Sequence, residues 1–309
     1  MRERLIEKAV GLGFAEAWFL PPEPLSYEPG DAKYAGFGLE RLLWNAPSLY
    51  PWARCVILLA WAYTPYPAGE PIPAYYLASN HAYKAACGMA EGIRGMGFSA
   101  QLAPIPARAL ALKNGIGVQG RNGLLRIGRY GSRTVLFTIV TDAAGPCVPV
   151  PAFDSGECGG CALCAAACPA KAIGEEGLEP RACLRAGMQV AMHCHRVKEL
   201  TPGFLGCELC QAACPHNLSV GFCEPDDEAV SAFSLERLIR GDASKARKLV
   251  GRNYTGNGKL TAEAIALSAR KGIHAELIAG AADSPFPAVR DAVDWALNRR
   301  EGRQDDAID

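Results

Sequence analysis

Net charge is what this sequence most plainly lacks: 32 Lys and Arg residues balance 32 Asp and Glu residues. A general nucleic-acid binder is usually basic overall, so that class is disfavoured and only a local basic patch stays open. Long apolar runs are also missing. The longest, from Cys55 to Tyr63, falls far short of the roughly 20 residues a membrane helix needs. The first residues, Met1-Arg2-Glu3-Arg4, lead into an amphipathic pattern at Leu5, Ala9 and Leu12, not into the apolar core of a secretion signal. Charged residues make up only 21% of the 309-residue chain and hydrophobic ones 50%, which fits a folded protein with a real core. Cysteine is the exception to this scarcity. There are 13, an odd number in a chain too long for a typical disulfide scaffold. We expect a soluble cytoplasmic protein, with no membrane partner, whose cysteines bind metal.

The pattern along the chain predicts three regions: an α/β domain over 1–146, a metal-binding module over 147–225 and a helical region over 226–309. In the first, residues 5–12 read as a helix and 14–20 as a strand. Residues 21–38, rich in Pro and Gly, read as a loop. Residues 54–63, with Val56-Ile57-Leu58-Leu59, read as a buried strand. Residues 74–95 read as a long helix with Ala and Met inside, 108–114 as a helix, and 134–141 as a strand rich in β-branched residues. The composition shifts at Ala144-Gly145-Pro146, and eleven of the 13 cysteines fall between 147 and 223. Near the end, helices over 261–271 and 284–299 surround a turn at 281–283. The second of these has the pattern of a single α-solenoid helix, which must bury its apolar face on the rest of the chain.

Cys158-x2-Cys161-x2-Cys164-x3-Cys168-Pro169 is the spacing of a bacterial ferredoxin run, and Cys207-x2-Cys210-x3-Cys214-Pro215 is a second. Such spacings let one loop deliver several thiolates to one iron–sulfur cube, and the cysteine before proline serves the other cube. The second run is one ligand short, and Cys183 is placed to supply it. The expected ligand sets are Cys158, Cys161, Cys164 and Cys214 for the first 4Fe–4S cluster, and Cys168, Cys183, Cys207 and Cys210 for the second. Zinc also takes four thiolates, but zinc ribbons do not need two interlocked Cys-Pro runs. Cys55, Cys87, Cys147, Cys194 and Cys223 are left over, mostly as small buried hydrophobes. His193 and His195 flank Cys194 and are expected to be structural or solvent-facing. His216, just after Cys214-Pro215, is expected either to hydrogen-bond toward the cluster or to sit on the surface.

Gly115-Ile-Gly117-Val-Gln-Gly120-Arg121-Asn122-Gly123 is dense in glycine. It lacks the strand–turn–helix order of a dinucleotide fingerprint and has no Gly-Lys-Ser/Thr of a phosphate loop. Preceded by Arg108, followed by Tyr130-Gly131-Ser132, a strand ending Thr141-Asp142 and the double run with its extra Cys183, it resembles epoxyqueuosine reductase. That family uses cobalamin and two 4Fe–4S clusters to reduce an epoxide on a modified tRNA nucleoside, and is related to the corrinoid reductive dehalogenases. The resemblance covers about residues 1–300. It implies an α/β corrinoid-binding-type domain, then a bacterial double-cluster ferredoxin module, then a short solenoid-like helical end. It implies that Gly115, Gly117, Gly120, Arg121 and Asn122 approach a corrin ring, with Tyr130, Gly131 and Ser132 nearby. Arg108 matches the family's active-site arginine. The position of its catalytic aspartate, seven residues earlier, is occupied by Gln101, and no carboxylate lies between Gly97 and Asp142. The aromatic–aliphatic pair of the family's loop is Val118-Gln119 here.

An amide is no substitute for a carboxylic acid as proton donor, so the resemblance implies a cobalamin-dependent iron–sulfur oxidoreductase acting on a substrate other than epoxyqueuosine. Such an enzyme needs an external electron donor of ferredoxin or flavodoxin type. The alternative is an electron-transfer or corrinoid-activating partner without its own small-molecule substrate. A third reading, a tRNA-binding module, rests on the local basic group Lys245, Arg247, Lys248 and Arg252, against which stands a solvated helix face.

Overall fold

The structure, a computed structural model, describes residues 1–26, 33, 38–67, 69–143 and 158–300. Cys147 lies outside the described residues. The chain divides into two compact units: residues 1–64, 78–162 and 214–221 in the first, and 65–77, 163–213 and 222–309 in the second.

The first unit is built on a four-stranded antiparallel sheet. Helix α1 (Arg2–Gly11) turns into β1 (Glu16–Leu20), and a short α2 (Ala46–Leu49) precedes β2 (Cys55–Ala62). Helix α3 (Ala74–Arg94) begins in the second unit and runs through the first. Then come β3 (Ala100–Leu102), α4 (Ala107–Lys113), the two-stranded ribbon β4 (Val118–Gln119) and β5 (Leu125–Arg126), and β6 (Thr134–Thr141). The sheet order is β1-β2-β6-β3. Strand β2 is flanked on both edges, in register Leu58 to Trp18 and to Thr138. That central place explains its near-continuous apolar sequence, since Cys55 to Ala60 are all buried. Helix α3 lays Ala82, Ala86, Met89 and Ala90 inward at helical spacing, each at most 1% exposed. Strand β3 escaped the sequence reading. It is three residues long and lies at the sheet edge beside β6, too short to show a two-residue period.

The second unit is mostly helical. Its cysteine-bearing part holds α5 (Leu163–Ala166), a small ribbon of β7 (Ile173–Gly174) and β8 (Gly177–Leu178), α6 (Leu184–Gly187), α7 (His195–Leu200) and α8 (Leu209–Ala212). Then follow α9 (Asp227–Ala232), α10 (Leu235–Ile239), α11 (Ser244–Val250), α12 (Lys259–Lys271), α13 (Ala275–Ala279) and α14 (Pro287–Arg300). Asp226 caps α9 by accepting from Ala229 N–H at 2.7 Å, and Pro287 opens α14, where a missing N–H costs nothing. The apolar face of α14 (Val289, Ala292, Val293, Ala296) is buried in one core with Leu260, Ala264, Ile265 and Leu267 of α12. The lone solenoid-type helix thus buries its apolar stripe.

Candidate metal centre

The seven cysteines of the two runs and Cys183 are all half-buried, and none is in a disulfide. Of the four leftover cysteines among the described residues only Cys55 is buried; Cys87 is half-buried, and Cys194 and Cys223 are exposed, so most of them are not the buried hydrophobes expected from the sequence. Backbone amides donate to three of the eight sulfurs. The amide of Arg121 donates to Cys158 Sγ at 3.4 Å, and the amide of Ala172 donates to Cys168 Sγ at 3.3 Å. The Leu209 amide does the same for Cys207. Amide hydrogen bonds to cysteine sulfur are the interactions that tune iron–sulfur clusters, so this donor set fits them.

In the second unit Cys207 lies close enough to Cys183 and Cys168 to feel their charge, while among the described residues no three Cys, His, Asp or Glu side chains stand close enough to hold a single metal ion. The Cys207 thiol is pushed up to about 11, first by burial and then by the charges of Cys183, Cys168 and Glu208. In the first unit, Cys158, Cys161 and Cys214 are present, while Cys164 belongs to the second.

The glycine loop has a local explanation that sequence reasoning missed. Gly115 is the stop of α4: its N–H bonds Leu112 O, and Ile116 N–H bonds Ala111 O at 2.9 Å. That pair of bonds around a residue at φ +71° is a Schellman cap. A side chain on Gly115 would still meet no protein atom within 4 Å. Gly117, at φ +76°, is different, since a Cβ there would collide with the Arg126 carbonyl across the β4–β5 ribbon. Gly120 turns the ribbon beside Asn122, whose buried side chain accepts from Leu124 N–H at 3.3 Å.

The other predicted site residues are each anchored. Arg108 donates to Gly123 O at 2.8 Å, which fixes the guanidinium on the loop it precedes. Gln101 is exposed on the edge strand β3, paired with Val140. Arg121 adds a bond from its guanidinium to Gly159 O at 3.2 Å, so the loop holds the start of the first cysteine run by two contacts. Tyr130 Oη donates to Glu16 Oε1 at 3.2 Å and accepts from Arg129 at 2.8 Å. Gly131 leaves room for Asn217. Ser132 N–H donates to Asn217 Oδ1 at 2.8 Å, and Asn217 Nδ2 returns a bond to Ser132 Oγ at 3.0 Å. Asn217 follows Cys214 by three residues. Thus Arg121 touches the segment that carries Cys158, and Ser132 the one that carries Cys214. His216, half-buried, is held below its usual pKa by burial and by the nearby Arg126 charge.

A second group had no signal in the sequence. The Arg185 guanidinium, two residues after Cys183, lies 4.1 Å from the ring centre of Tyr75 and 5.4 Å from that of Tyr76. Glu208, next to Cys207, accepts from Tyr75 N–H at 3.3 Å. His193 is buried and its Nε2 faces Glu263 Oε1 at 3.2 Å, whereas His195 is exposed. Lys245, Arg247, Lys248 and Arg252 are all exposed. Among the described residues no helix is long and apolar enough to cross a membrane.

Known proteins resemble this chain in sequence and in fold. Residues 157–217, which hold all eight cysteines, match the family described as a 4Fe-4S double cluster binding domain. Over 210 residues the chain is 31% identical to the epoxyqueuosine reductase of Listeria monocytogenes, covering 63% of this chain and 54% of that one. Over 224 residues it is 30% identical to that of Pseudomonas aeruginosa, covering 64% and 58%. The chain thus spans about half the length of the curated relatives it matches. The structure of epoxyqueuosine reductase from Streptococcus thermophilus superposes with a TM-score of 0.75 at 20% identity, over 99% of this chain and 92% of that one. An epoxyqueuosine reductase crystallised with an epoxyqueuosine-modified tRNA-Tyr stem loop gives 0.74 at 20% identity, over 96% and 89%. The chain is a homologue of epoxyqueuosine reductases, shares their fold and carries a 4Fe–4S double-cluster domain.

Proposed function

We propose that this chain is an iron–sulfur oxidoreductase that moves single electrons from two 4Fe–4S clusters to a corrinoid held at the loop 115–123, and that its substrate is not epoxyqueuosine itself. The observation that carries the reading is the bond from the Arg121 amide to Cys158 Sγ. It joins the loop assigned to the corrinoid to the cysteine run assigned to the first cluster, as a short electron path requires. The clusters are read as held by Cys158, Cys161, Cys164 and Cys214, and by Cys168, Cys183, Cys207 and Cys210.

The loop suits a large ring in two respects. It is open at Gly115, and the stretch from Phe98 to Thr141 contains no carboxylate. A bound corrinoid supplies the reducing centre for the substrate. The protein's own residues do the rest. Arg108, steadied by Gly123 O, presents a cation to a polar substrate group, and Tyr130 is poised by Glu16 and Arg129 to hold a proton at its Oη. Gln101 offers hydrogen bonds but no acidic proton. One solved Bacillus subtilis relative is described by an aspartate catalytic loop, whereas position 101 here lies on a paired strand.

The same absence of acid favours a second reading, an electron-transfer or corrinoid-activating partner with no small-molecule substrate. The exposed basic group on and after α11, together with the tRNA stem loop bound by a relative, favours a tRNA partner for either reading. Anaerobic protein reconstituted with cobalamin, passed over gel filtration and scanned for corrin absorption, tests the corrinoid. Retention supports the enzyme reading, and loss of all cobalamin moves the assignment to the partner reading.

A further inference from the structure

Two of the proposed second-cluster ligands, Cys183 and Cys207, are joined by a long connection with little regular structure besides α6 and α7. A connection of that length would leave the two thiols poorly placed relative to each other unless something held it. Helix α12 does so with three side chains, at spacings of four and seven residues. At about 3.6 residues per turn these fall within about 40° of one face.

Lys259, buried, donates to the carbonyls of Met188 and Val190, and to Glu263 Oε1 at 2.7 Å. Glu263, buried at 3% exposure, also receives His193 Nε2 and takes the amide of Leu205 at 2.9 Å on its second oxygen. Arg270 donates to Lys198 O at 2.7 Å and to Thr201 O. Helix α14 adds two ion pairs to the same segment, Lys198 to Asp291 at 2.6 Å and Glu199 to Arg299. The segment 188–205 is therefore gripped along its whole length by helices far down the chain.

The contact at Leu205 matters most. This residue sits at φ +62°, a conformation that L side chains rarely adopt, and Cys207 is two residues on. A buried carboxylate on its amide holds the strained turn that aims the thiol. Burying a Lys–Glu pair is no efficient route to stability, since an apolar pair of similar volume often does as well. It does fix position, because each charge must keep its partners.

We propose that Lys259, Glu263 and Arg270 are positioning residues for the second cluster. By fixing the segment between Cys183 and Cys207 they set the amide bonding and solvent access at those thiolates, and so its reduction potential. The inference rests on the ligand sets proposed above. It is tested on the full chain, purified anaerobically, by redox titration followed by EPR, in wild type, Glu263→Gln, Arg270→Met and the milder Arg270→Lys. Both the glutamine and the methionine variants are expected to move one midpoint and leave the other alone. At the wild-type midpoint the reduced-to-oxidised ratio of that cluster should change about tenfold, about 59 mV for one electron. Arg270→Lys should move it less. If Glu263→Gln does not fold, the two Arg270 variants decide. Two clusters with unchanged potentials in every folded variant, even with lowered thermal stability, would show a merely structural network and overturn the inference while sparing the ligand sets. A wild type with one cluster, or with zinc, would overturn the ligand sets and the inference together.

Discussion

The backbone amide of Arg121 points at Cys158 Sγ from 3.4 Å. Its guanidinium reaches Gly159 O, so a single residue of the glycine loop holds the first turn of the ferredoxin run by main chain and side chain together. Removing the side chain leaves the amide bond and takes away only the second contact. Arg121→Ala is therefore expected to keep both clusters but to let the first turn of the run move. Its EPR signal at the first cluster should broaden or shift, with the second cluster's unchanged. Identical spectra at both clusters would show that the guanidinium plays no part.

Cys183→Ala should remove only the cluster assigned to Cys168, Cys207 and Cys210. Iron should fall from about eight to about four atoms per chain for two cubanes, with the remaining EPR signal that of the first cluster. Loss of both clusters, or of neither, would mean that the fourth ligand comes from elsewhere.

Gly117→Ala should destabilise the first unit whether or not cobalamin is present, because the new methyl meets the Arg126 carbonyl and the backbone is at φ +76°. A cost of about 1–3 kcal/mol is expected for such a strained position, measured by urea denaturation. Unchanged stability would show that the ribbon relaxes, and would leave the loop glycine free for a purely ligand-facing role.

Glu263 makes stability depend on pH in a defined direction. Burial raises its pKa, but Lys259 and His193 outweigh this and hold it below the usual carboxylate range. A lowered folded value means that its contribution is fully present above the unfolded value, about 4.3, and is lost as the pH falls further through the folded value. Glu263→Gln should remove that acid-side slope. It should also cost about 3–5 kcal/mol at neutral pH by leaving the Lys259 charge buried without its partner. Denaturant titrations of both proteins from neutral to acid pH measure the two effects; parallel curves would contradict the first, and coincident curves both.

Wild type loaded with cobalamin and reduced is expected to convert epoxyqueuosine in tRNA only poorly, since general acid catalysis typically supplies about a hundred- to ten-thousand-fold. Gln101→Asp should raise the rate if position 101 faces the epoxide. Efficient turnover by the wild type would show that the proton comes from another group, with Tyr130 the first to examine.

Much of this was legible in the sequence, for physical reasons that differ by element. Strands β2 and β6 announce themselves through runs such as Val56-Ile57-Leu58-Leu59 because they are buried in the sheet. The inner face of α3 shows in the spacing of Ala82, Ala86 and Met89. The cysteine runs are legible because cluster chemistry fixes spacing. Lys259, Glu263 and Arg270 were not, since charged residues on a helix look like solvated surface until the packing shows them buried or bonded to backbone. The cap formed by Gly115 was hidden for a related reason: one glycine can stop a helix or admit a ligand, and only the bonds from Gly115 and Ile116 back into α4 tell which it does.

The most direct test of the central claim is iron and labile-sulfide analysis with EPR on the anaerobically purified wild type. About eight irons per chain and two reducible cubane signals are predicted. One cluster, or stoichiometric zinc in place of iron, would contradict the account.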